Sequence, residues 1–134
     1  MLRSEATSQS SRRAKFLEKI LEHKIDASNQ AFGRLASRIA HVLRGKNSPS
    51  FTPNILPQEK VIVENISKIS FSGKKLDKKK YYRHSKYPGS IKMATLRERW
   101  DKDPREVFKK TVFDMLPKNR MRSKIIKNLI IRNG

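Results

Sequence analysis

The chain has 134 residues, with 32 Lys and Arg against 12 Asp and Glu and a formal charge of +20, so it fits one compact domain with short appendages and calls for a polyanionic partner. Nucleic acid fits that need better than an anionic membrane surface, because each neutralised phosphate releases a condensed counterion. The absence of cysteine excludes disulfides and thiolate zinc sites, and no apolar run nears the roughly 20 residues that cross a bilayer.

Residues 1–13 are rich in Ser and Thr and carry Arg3, Arg12 and Arg13 with one acid, Glu5. Two readings stand: an organellar transit peptide, or a solvated tail that orders against RNA, which is the blander and better one. Phe16, Leu17, Ile20 and Leu21 have the spacing of an amphipathic helix that would pack on the body or on a neighbouring protein. Residues 1–22 are therefore read as an extension, partly helical or ordered on its partner, and 23–134 as a single domain.

A strand is expected around Lys24–Ala27, followed by a helix from about Asn29 to Arg44 with Ser28 as N-cap and Gly45 at the left-handed C-terminal position. Phe32, Leu35, Ala36, Ile39 and Leu43 would share its buried face, with Arg34, Arg38 and His41 opposite. Gly33 costs helix stability and hints that a backbone or a phosphate approaches closely. Val61, Ile62 and Val63 form a β-branched run without alternation, suited to a strand covered on both faces. Ile69 and Phe71 alternate with Ser70 and Ser72 and end at Gly73, which reads as a further strand and its turn. Strand, helix, strand in that order favours an α/β unit with parallel pairing. Thr95 with Glu98 has capping-box spacing, and Asp103, Pro104 and Glu106 repeat the signal, so two helices follow. The second would bury Phe108, Val112 and Met115 and stop at Pro117; a last helix with Met121, Ile125, Ile126 and Leu129 would lead into a short strand at Ile130–Arg132.

The charges are segregated. No acid lies between Asp26 and Glu59, Asp77 is the only one between Glu64 and Glu98, and none follows Asp114. Carboxylates cluster in Glu18–Asp26, Glu59–Glu64 and Glu98–Asp114, segments expected to stand further from phosphate, while the basic stretches between them form a distributed binding surface. The densest is Gly73–Lys92, read as a loop shaped by the Pro88-Gly89 turn. Its lysines, the Arg83 fork and the rings of Tyr81, Tyr82, His84 and Tyr87 suit irregular RNA.

Catalytic readings fare poorly. His23, His41 and His84 lie far apart, and Gly45-Lys46-Asn47-Ser48 resembles the end of a phosphate-binding loop but lacks the upstream glycine and follows a helix. No nucleophile elbow is present, nor an apolar setting for paired carboxylates. The expectation is no catalytic residue, no metal and no cofactor.

Taken in order, Asp26-Ala27 with Gly33-Arg34-Leu35-Ala36-Ser37, then Arg44-Gly45-Lys46, Phe51-Thr52-Pro53, Val61-Ile62-Val63-Glu64-Asn65, Tyr81-Tyr82-Arg83-His84-Ser85 with Pro88-Gly89, and Met115-Leu116-Pro117-Lys118 resemble the bacterial-type large-subunit ribosomal protein thirteen family, from about Ile25 to the end of the chain. The resemblance implies a three-layer α/β/α fold around a small, mainly parallel sheet of about four strands with basic RNA-binding loops. It also implies a non-enzymatic structural constituent of the large ribosomal subunit that binds its RNA and supports assembly and translation. Departures from the family pattern are Asp114, Lys86 and Ser90 at positions commonly held by glycine, and the loss of Gly-x-x-Gly spacing after Lys118.

Combining motif and charge, the expected RNA contacts are Arg34, Arg44 and Lys46; Lys74, Lys75 and Lys79; Tyr82, Arg83, His84, Lys86 and Lys92; and Lys118, Arg120 and Arg122. Expected partners are large-subunit ribosomal RNA and neighbouring large-subunit proteins, one copy per ribosome, with no small-molecule substrate and no membrane, in the cytoplasm rather than in an organelle. The competing readings are a free-standing RNA chaperone or nucleic-acid-binding module and an RNA-modifying enzyme.

Overall fold

Three parallel strands form the central sheet: β1 (Glu22–Asp26), β2 (Lys60–Glu64) and β5 (Leu129–Ile131), in the order β1-β2-β5. These coordinates are a computed structural model and describe residues 21–133. The helical pattern at Phe16, Leu17 and Ile20 therefore lies outside the described residues, as do the Ser- and Thr-rich first 13. β1 runs beside β2 with Glu22 opposite Lys60 and Asp26 opposite Glu64, and β2 beside β5 with Val61 opposite Leu129. Val61, Ile62 and Val63 are all buried, as their unbroken β-branched run requires of a central strand.

Helix α1 (Phe32–Leu43) connects β1 to β2. It turns Leu35, Ala36, Ile39 and Leu43 into the core and leaves Arg34, Arg38 and His41 exposed. It starts at Phe32, later than the sequence pattern indicates, and its N-cap is Ala31 with no side-chain cap. Ser28 is engaged elsewhere: its backbone N–H (3.0 Å) and hydroxyl (2.8 Å) both donate to Asp26 Oδ1, which also accepts from the Asn65 side-chain amide at 3.1 Å. The Ser28 backbone donor foremost, then Asn65 and the Ser28 hydroxyl, hold the Asp26 carboxyl below the ordinary aspartate range. At the other end of α1 the chain passes Arg44 and turns at Gly45, where φ is +75°.

The segment Ile69–Phe71 does not form the expected strand. It makes one parallel bridge, Ala31 with Ser70, closed by Phe32 N–H to Ser70 O and Ser70 N–H to Gln30 O, both 2.9 Å. Phe71 is drawn into an aromatic cluster: its ring stacks on Phe32 at 5.0 Å and meets Trp100 edge-on at 4.8 Å, while Phe32 meets Phe108 at 5.5 Å. The stretch expected as a basic loop is instead a one-turn helix, α2 (Lys75–Lys78), followed by an antiparallel hairpin of β3 (Lys80–His84) and β4 (Ile91–Thr95). Among the described residues the single sheet of about four strands is thus replaced by three parallel strands and a separate pair, because the tyrosine-rich segment pairs with its own continuation and not with the core sheet.

Helices α3 (Leu96–Lys102) and α4 (Pro104–Met115) begin where the caps indicate. Glu98 N–H donates to the Thr95 hydroxyl while Thr95 N–H donates to the Glu98 carboxylate, and Arg105 N–H donates to Asp103 with Pro104 at the first turn. α4 packs against α1 and buries Val107, Phe108 and Val112. Met115, expected inside, is 44% exposed and Leu116 takes its place in the core. The helix stops at Met115 and Leu116 is already extended, so helical spacing no longer dictates which side chain points inward. After Pro117 a short helix α5 (Arg122–Ile125) and a 3-10 turn (Ile126–Asn128) bury Ile125 and Ile126 and deliver the chain to β5. Among the described residues one charged group is buried, Glu59, whose Oε2 lies 3.4 Å from His23 Nε2 across the start of β1 and β2, within ion-pair range but not in hydrogen-bond alignment.

Candidate nucleic-acid interface

The expected contact residues gather in two regions. The first follows the exposed stripe of α1, where Arg34, Arg38 and His41 succeed one another at helical spacing toward Arg44 and Lys46. There Ser37, Ala40, His41, Arg44 and Lys46 meet Met115 and Pro117 around an open groove of about 300 Å³. Its lining combines the cations of Arg44 and Lys46 with the Met115 thioether, and His41 Nδ1 lies 3.3 Å from Asn47 Oδ1. Arg44 also faces the Phe51 ring at 5.7 Å, which orients its guanidinium. Lys118 and Arg120 are exposed directly beyond Pro117, so the C-terminal basic segment adjoins this groove. Arg122 is half-buried, its guanidinium 3.9 Å from the Phe113 centroid. Stacking leaves the in-plane donors of that fork open.

The second region is α2 with the hairpin. Lys74, Lys75 and Lys79 surround the one-turn helix, all exposed. In the ladder Arg83 stands directly opposite Lys92, Tyr82 opposite Met93 and His84 opposite Ile91. Because side chains alternate between faces, Arg83 and Lys92 share one face while Tyr82, His84, Ile91 and Met93 share the other. Lys86 is exposed in the turn beside Tyr87 and Gly89, where φ is +76°. Tyr81 does not join the exposed rings. It is half-buried, with Arg99 at 4.5 Å, Lys79 at 5.4 Å and Lys110 at 5.9 Å from its centroid, so the chain's own cations occupy its surroundings. Asp77 pairs with Arg97 at 3.2 Å, both exposed, which leaves the surrounding lysines in excess.

Several residues of these regions are absent from the expected contacts. His41, Ser37 and Met115 line the groove, and Ile91 and Met93 stand exposed on the hairpin. Charge excess could have pointed to His41 beside Arg44. Exposed Ile and Met have the same sequence appearance as core residues. Among the described residues no helix is long and apolar enough to cross a membrane, and no group of three or more His, Cys, Asp or Glu could hold a metal ion.

Comparison with known proteins gives one family model, "Ribosomal protein L13", which matches residues 21–134. "Large ribosomal subunit protein uL13" of Citrifermentans bemidjiense is 47% identical over 110 residues, covering 82% of this chain and 78% of the relative. The protein of the same name in Aquifex aeolicus is 46% identical over 110 residues, covering 82% and 76%. That of Thermotoga petrophila is 47% identical over 105 residues, covering 78% and 70%.

Proposed function

We propose, from the premise that this chain belongs to the ribosomal protein L13 family, that its two cationic regions hold folded segments of large-subunit ribosomal RNA together. The protein is a structural constituent of the large ribosomal subunit. The observation that carries the proposed contacts is the pairing of Arg83 with Lys92 across β3 and β4. Like charges directly opposite on a ladder destabilise it, and both side chains are exposed with no carboxylate between residues 78 and 97. A phosphate lying between them turns that repulsion into two charge-assisted contacts. Arg44 and Lys46 beside the α1 groove offer the same chemistry at a second point, and two such points on one body lower the electrostatic cost of bringing RNA helices together.

On this reading residues 23–134 act as one domain with 1–22 as an extension, and the helices lie on both faces of the sheet in three layers. The partners are large-subunit RNA and adjoining large-subunit proteins at one copy per ribosome, in the cytoplasm. The role is architectural and needs no catalytic residue, metal or cofactor.

Replacing Lys74, Lys75 and Arg83 together with Ala tests the contacts. Affinity for large-subunit RNA should fall, and the dependence of log affinity on log salt should flatten by about one unit per lost phosphate contact. An unchanged slope would show that these side chains do not face phosphate.

A further inference from the structure

We infer that the outer face of the β3–β4 hairpin is a stacking platform for unpaired RNA bases, so that this element holds a single-stranded or looped segment and not only the backbone of a duplex. The inference rests on the RNA-binding reading and adds the kind of RNA and the side chains that take it. Tyr82 and Met93, paired across the ladder, are 68% and 53% exposed, and Ile91 beside them is 63% exposed. Three large apolar side chains on one face of a two-stranded ribbon, with no helix or strand over them among the described residues, form a patch that water covers poorly. Phosphate cannot satisfy it: Ile91 has no donor, and the Met93 thioether is at most a weak acceptor.

Charge identifies the occupant. Lys80 and His84 flank Tyr82 on the same face, since alternate residues of a strand share a side. Residues 78–97 hold seven Lys and Arg and no Asp or Glu. An apolar protein partner would have to bring its own acidic rim to this surface. Unpaired nucleotides supply both parts at once, flat π-faces for Tyr82, Ile91 and Met93 and phosphates for the cations on either side. Tyr81 does not compete for this role, because it points to the opposite face and is surrounded by Arg99, Lys79 and Lys110. Regular A-form duplex fits poorly, because its bases are stacked on one another and present no free face.

The test uses the full chain with two synthetic RNAs of equal length: a hairpin whose loop carries a fluorescent adenine analogue, and a continuous duplex. The wild type should prefer the looped RNA and quench the analogue. Tyr82→Ala should weaken loop binding by roughly 5- to 150-fold, the range for one lost base stack, leave the salt slope unchanged and abolish quenching, whereas Tyr82→Phe should retain both. Met93→Ala should act in the same direction more weakly. Both positions are exposed, so thermal unfolding should stay at the wild-type temperature. Equal loss on loop and duplex with a flattened salt slope would overturn the platform, leaving Tyr82 as a backbone contact. Unchanged RNA binding with loss of association to a purified large-subunit protein would also overturn it, making the face a protein contact. If the wild type binds neither these RNAs nor large-subunit RNA, the functional reading beneath the inference falls with it; retained binding of large-subunit RNA alongside an unaffected Tyr82→Ala removes the platform alone.

Discussion

Adding a single methyl group at each of three glycines should change stability by different amounts and in opposite directions. At Gly45 φ is +75°, and an added Cβ would stand 3.2 Å from Pro57 Cβ and 3.9 Å from Glu59 Oε1. The left-handed conformation alone costs an L-residue about 1 to 2 kcal/mol, and the site is buried between the end of α1 and the segment leading to β2. The proline ring must therefore also shift, so Gly45→Ala should cost about 2 kcal/mol or more. At Gly73 φ is +63° but nothing lies within 4 Å of the added Cβ, so only the backbone strain of about 1 kcal/mol remains. Gly33 lies in α1 with ordinary φ and open space around it, and Gly33→Ala should stabilise by up to about 1 kcal/mol through helix propensity. Urea denaturation of the purified protein should rank the midpoints as Gly33→Ala above wild type, then Gly73→Ala, then Gly45→Ala, with equal slopes. If Gly45→Ala unfolds no more easily than Gly73→Ala, the close approach of Pro57 to the turn is wrong. The Gly33 variant carries a second readout: should a phosphate approach that backbone in the complex, RNA affinity falls while stability rises.

Ile39 is fully buried. Removing three carbons loses about 2.4 kcal/mol of transfer energy at about 0.8 per carbon. With the cavity included, Ile39→Ala should cost about 2 to 5 kcal/mol by denaturant titration, and a loss well under 1 would mean that this face of α1 is not in the core. Asp26→Asn should lower stability at neutral pH and remove part of the acid limb of the stability profile. Because the folded carboxyl titrates below its unfolded value, its contribution is complete above the ordinary aspartate pKa and disappears as pH falls through the folded one. An unaltered acid limb in the variant would refute the three-donor arrangement around Asp26. Arg44→Ala with Lys46→Ala should weaken binding of large-subunit RNA and flatten its salt slope, while thermal unfolding of the free protein, followed by circular dichroism, moves little; an unchanged slope would remove the α1 groove from the interface.

The elements legible in the sequence are those whose signal is local. The α1 stripe, the unbroken β-branched run of β2, and the two N-caps at Thr95 and Asp103 each depend on residues within a turn or two of one another, and all appear as expected. The hairpin was not legible because β3 and β4 have no core-facing alternation. Their register rests on pairing between segments, as of Tyr82 with Met93, which no single stretch reveals. Ser28 does not cap α1 because two roles compete for one hydroxyl, and proximity to Asp26 prevails over capping. Ile69–Phe71 alternates like a strand, yet the gain from packing Phe71 against Phe32 and Trp100 directs it away from the sheet. In the two cationic regions the charges were legible because ionised side chains stay at the surface whatever the fold. Exposed Ile91 and Met93 were not, since only the structure distinguishes an apolar residue left in solvent from one placed in the core.

The measurement closest to the central claim is sedimentation of the endogenous protein. In a gradient at moderate salt it should travel with the large ribosomal subunit and leave it only as salt is raised, as expected of a body held by phosphate contacts. Recovery mainly in the light fractions at the same salt would contradict the account.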